Sequence, residues 1–232
     1  MNRSTSILLT IGLIILLASG CGGGGGGTGR YTLPGEIPGG SGGGGGTGTG
    51  TGGGGETDPD ALLLSAWEDF KFGAYSSAIS KFNQVLSIPN ITDTHRTEAY
   101  NGIGWSQTKS AGVEAGYSAF TQAASTNNEA RIGLAAALIQ RGQQSGFSMA
   151  ISHLEAVGLG NPAFKFQATH PIGVSNAEAH AMLAFCYFWR NNPGDHDKAR
   201  AQINIARTED GSNDSAVAHI YKTLKDLGLT GI

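Results

Sequence analysis

Between residues 57 and 232 apolar side chains recur at spacings of three and four, and no stretch keeps the strict alternation of a strand. The pattern predicts helices throughout. Asp58-Pro59 reads as a helix start, with Asp as cap and Pro in the first turn, and Gly73 ends that helix. A second helix is expected over 75–88, stopping at Pro89. Further helices follow over 93–110, 113–125, 128–141, 147–157, 176–190 and 195–208, and a last one over 214–227 closes at Gly228.

Helices in consecutive pairs invite a search for an internal repeat. Each second helix carries a small residue, at Ala78, Gly116, Ala150 and Ala199. Four positions on comes a larger apolar side chain, at Phe82, Phe120, Leu154 and Ile203, and three further on stand Val85, Ala123, Val157 and Ala206. The first helices place small residues at Ala66, Gly104, Ala135 and Ala184. Small side chains let neighbouring helices approach, and the larger residue fills the adjoining groove.

This pattern resembles the tetratricopeptide repeat (TPR). The best copies are the 78–89 half of the first repeat and Leu183-Ala184-x2-Tyr187 in the fourth. Ser65 and Asp69 depart from the family's Leu and Tyr, and only the Gly116-to-Ala150 interval has its usual length of about 34 residues. The resemblance implies an all-α, TPR-like α-solenoid of about four helix pairs with a C-terminal capping helix, whose residues Val217, Ile220, Tyr221, Leu224 and Leu227 would cover the fourth repeat. A non-repeating helical bundle is the other architecture the pattern allows.

The long interval before Ala199 holds an insert over 159–176, LGNPAFKFQATHPIGVSN, in which Phe164 and Phe166 alternate with polar residues and His170-Pro171 breaks the run. A loop of this length is either functional or a short extended lid over the junction between repeats three and four.

The N-terminal residues have a different character. Residues 1–20 read as an export signal: Arg3, an apolar run over 7–17, then small residues. The run is about half the roughly twenty residues of a membrane span. Leu17-Ala18-Ser19-Gly20-Cys21 resembles the lipobox of bacterial lipoproteins, with the leucine one position further upstream than is commonest. The resemblance implies acylation of Cys21, membrane attachment through an N-terminal lipid anchor, and, because Gly22 and not Asp follows, the outer membrane. Several acyl chains on one residue give stable anchoring. Residues 21–56, dominated by glycine runs around an insert YTLPGEIPGG, cannot bury enough apolar surface to order and read as a tether. A Gly-rich coil of about 35 residues spans roughly 30–35 Å on average. The expected division is signal peptide 1–20, lipidated Cys and linker 21–56, and helical repeat domain 57–232.

Candidate chemistry is sparse. A formal charge of −3 with 14% charged residues points away from nucleic acid as a partner. With Cys21 lipidated, Cys186 stands alone in an apolar helix, a buried free thiol. The six histidines form no i, i+4 pair of the helical zinc type, and Ser118 and Ser148 sit on helices with no nucleophile elbow. No enzyme, metal or cofactor signature emerges.

Aromatic residues are more informative. The TPR resemblance implies that the groove-lining positions of the first helices are taken by Trp67, Phe70 and Lys71, by Asn101, Trp105, Thr108 and Lys109, and by Phe185, Phe188 and Trp189. Large aromatics in a hollow are common binding anchors, although a short array closing on itself would bury them as core. The expected function is a membrane-tethered scaffold of the bacterial cell envelope that binds a protein or peptide in this groove. The alternative is a module that stacks glycan or peptidoglycan fragments on the tryptophans.

Overall fold

A computed structural model of the chain describes residues 58–232. The expected signal peptide, lipobox Cys21 and Gly-rich linker lie outside the described residues. Nine α-helices are present among the described residues: α1 (Pro59–Lys71), α2 (Tyr75–Ser87), α3 (Asp93–Ala111), α4 (Tyr117–Ala123), α5 (Asn128–Arg141), α6 (Gln144–Val157), α7 (Asn176–Arg190), α8 (Asp195–Glu209) and α9 (Ala216–Asp226). A 3-10 turn, Val113–Gly116, leads into α4. The expected single helix over 113–125 is therefore split. Gly112 at φ 96° turns the chain sharply, and the backbone of Gly116 then packs against the Gly104 carbonyl.

Helix starts follow local chemistry. Asp58, Thr92, Asn127, Ser175 and Ser215 each accept a backbone N–H of the first turn. At α7 the cap is reciprocal, with Glu178 reaching back to Ser175. Gly142, Gly158 and Asn191 end α5, α6 and α7 in the left-handed region.

Consecutive helices pack as four pairs, α1/α2, α3/α4, α5/α6 and α7/α8. The first members also touch in series, α1 to α3, α3 to α5 and α5 to α7. This is a TPR-like stack, and α9 packs on α7 and α8 as its cap. The repeat positions are the core: Ala66, Ala78, Phe82, Phe120, Ala135, Ala150, Leu154, Ala184, Ala199 and Ile203 are buried. Phe120 shows why small residues recur. A methyl group added at Gly104 would lie 2.5 Å from its ring, and one at Gly133 2.4 Å. Two neighbouring helices thus approach the same ring at backbone distance.

Candidate functional site

The groove-lining residues do not face an open hollow. Trp105 and Phe185 are completely buried, and Asn101, Thr108, Phe70 and Trp67 are buried as well. The expectation of an accessible aromatic wall along the first helices is corrected: most of that wall is interior. Trp105 meets Phe120 edge-on at 5.2 Å, and Trp67 meets Phe70 and Phe82 in the same way. Lys71 is exposed at the end of α1, away from this interior.

The insert seats on part of that face, against Trp67, Glu98, Glu129 and Lys109. It does more than close the junction between repeats three and four: it runs back across the first helices as far as repeat one. His170 stacks on the indole of Trp67, with ring centroids 3.7 Å apart and planes at 7°. Its backbone N–H donates to Glu129 Oε1 at 2.8 Å. Nδ1 lies 2.7 Å from Glu129 Oε2, and Nε2 lies 3.2 Å from Glu98 Oε1. The two carboxylates come from α5 and α3, so one imidazole joins three repeats.

The surrounding groups hold those carboxylates in place. Trp67 Nε1 donates to Glu98 Oε1 at 2.8 Å, Asn127 Nδ2 to Glu98 Oε2 at 3.1 Å, and Asn101 Nδ2 to Glu129 Oε2 at 2.8 Å. Burial pushes the Glu98 carboxyl above the ordinary Glu range, although His170 and the Trp67 N–H oppose it. Glu129 is also desolvated, but the hydrogen bonds and charge of His170 and the Asn101 amide outweigh burial and leave it below the ordinary range. Asn101 thus supports a carboxylate and does not face a ligand. Lys109 lies against Gly173 of the insert, and burial lowers its pKa.

Two aromatics of the expected set remain accessible, Phe188 and Trp189 at the end of α7. With Phe147, His196, Gln144 and Leu227 they line an open cleft of about 450 Å³. Phe188 stacks on His196 at 5.2 Å, and Trp189 lies nearly parallel to Phe147 at 6.3 Å. Gln144 Nε2 donates to the carbonyls of Trp189 and Arg190, which fixes the rim. The buried indole N–H of Trp189 has no hydrogen-bond partner among the described residues. Leu227, expected to cover repeat four, is exposed beside this cleft.

Sequence reasoning missed Glu98, Glu129 and His170 as a unit. Their separation in sequence hides it; the available signal was a His-Pro pair inside an insert too long for a simple turn.

No family model matches the chain, and no curated protein matches it. Among solved structures, it is similar to a thermophilic TPR protein of Thermus thermophilus, at 20% identity and a TM-score of 0.48, over 74% of this chain and 85% of that one.

Proposed function

We propose that the chain is a membrane-tethered interaction module of a bacterial cell envelope that docks a protein or peptide segment at the α7 cleft. One observation carries this reading. The cleft gathers Phe147, Phe188, Trp189 and Leu227 beside the polar groups of Gln144 and His196 in an open hollow, so an incoming apolar side chain would be covered from several sides. The lipobox resemblance at Cys21 and the following glycines support attachment to a membrane with the helical domain held clear of it.

The test is photo-cross-linking in intact cells from a reactive residue placed at Phe188. A discrete adduct that disappears in Trp189→Ala, while a probe at exposed Lys71 gives none, supports docking here. Adducts equal at both positions contradict it. For a glycan, Trp189 is the accessible stacking platform that remains, so quenching of its emission by soluble muropeptides would favour the alternative ligand.

A further inference from the structure

The insert segment 164–174 is bound as an extended peptide. It has no helix or strand pairing, and its residues alternate in burial: Phe166, Ala168, His170, Ile172 and Val174 turn inward or are partly covered, while Lys165, Gln167, Thr169, Pro171 and Gly173 are exposed. Alternate side chains taken into a surface are the mark of extended-peptide recognition. Ile172 is fully buried, and Phe166 and Val174 nearly so.

Hydrogen-bonding groups are matched as well. The face offers Glu98 and Glu129, and the segment brings His170 between them. Contact is incomplete along one flank. A cleft of about 400 Å³ lies between the segment and Glu98, Asn127 and Glu129, and a second of about 340 Å³ shares Glu98, Thr126 and Asn127 with it. An incoming chain would have a place to start.

We propose that the face formed by α1, α3 and α5 is a peptide-binding groove whose resting occupant is the chain's own segment 164–174. The partner it fits is an extended peptide of the same chemistry. That peptide carries a His to stack on Trp67 and reach Glu98 and Glu129, with aliphatic residues two and four positions later. This site is separate from the α7 cleft, and its failure would leave the docking there unaffected. Because the resident segment is covalently attached, it competes at high effective concentration, so a free peptide gains access only when the resident contacts are weakened.

The experiment uses the full chain and a labelled peptide with the sequence of residues 165–174, followed by fluorescence anisotropy. The double variant His170→Ala, Ile172→Ala should bind it at least tenfold more tightly than the wild type, and the same peptide with Ala in place of its His should not bind. Equal binding by variant and wild type, or none by either, overturns the proposal. If the variant does not fold, amide hydrogen exchange on the wild type decides. Exchange at His170 and Ile172 by local opening, faster than in α3 and α5, supports an exchangeable occupant. Protection equal to those helices overturns it.

Discussion

Trp67 and His170 lie face to face, 3.7 Å between ring centroids, although more than a hundred residues separate them in the chain. Around that contact the insert becomes part of the domain. Removing the imidazole takes away its bonds to Glu98 and Glu129 and leaves two partly desolvated carboxylates close together. His170→Ala should therefore lower unfolding stability by about 1–3 kcal/mol. Urea unfolding would show this as a lower midpoint with an unchanged slope. An unaltered midpoint would mean that the stack is dispensable.

Burial changes what tryptophan substitution reports. As walls of an open groove, Trp67 and Trp105 would be replaceable by Ala with loss of partner capture and no loss of fold. In the structure Trp105 is completely enclosed against Phe120, so Trp105→Ala alone should cost about 3–5 kcal/mol. Circular dichroism during thermal unfolding checks this: the melting temperature should fall by many degrees. A melt within one or two degrees of the wild type would place the indole outside the core.

Gly133 and Phe120 make a tighter test of the packing. A methyl group at Gly133 would meet the Phe120 ring at 2.4 Å, and one at Gly104 would meet the same ring at 2.5 Å. Gly133→Ala should destabilise by about 1–3 kcal/mol, and adding Phe120→Leu should restore part of the loss. A double-mutant cycle in denaturant reads the coupling directly; additive effects would contradict the shared ring.

The helix pairs were legible in the sequence because their signal is local and periodic. Ala78-x3-Phe82 and Gly116-x3-Phe120 state, within one turn, which face is packed closely. Phe188 and Trp189 could also be placed from that register. The fate of Trp67 could not, because it depends on a segment of irregular backbone far along the chain, whereas Trp105 is enclosed against Phe120 of the neighbouring helix. No period carries the information that His170 will return to α1. The start of α6 at Gln144, ahead of the expected Phe147, has a simpler cause: Gly146 weakens the helical pattern without breaking the helix.

Asp195 provides a pH dependence. Its carboxyl is 2% exposed and paired with Arg190, with oxygens at 2.6 and 2.8 Å from the guanidinium. The Arg190 hydrogen bonds hold its pKa below the ordinary value of 3.8, against the opposing effect of burial. A carboxyl depressed in the folded state stabilises above its unfolded pKa, and that contribution disappears as pH falls through the lower folded value. Wild type should therefore exceed Asp195→Asn in stability at neutral pH, with the gap closing only below about pH 4. A gap that stays constant down to about pH 2 would show that the charge is not involved.

Cys186 should be silent. It is fully buried in α7, and burial pushes its thiol far above the usual range. Ellman's reagent should detect no thiol in the folded helical domain and one after denaturation; rapid labelling of the folded domain would contradict its placement.

The seating of the insert against α1 is central, and nuclear Overhauser contacts between the Trp67 indole and the His170 imidazole test it most directly. The structure predicts cross-peaks between the two rings, with the His170 ring protons shifted upfield by the indole. Absent cross-peaks, with His170 at random-coil shifts, would mean that the face of α1, α3 and α5 is open and that this assignment of its occupant is wrong.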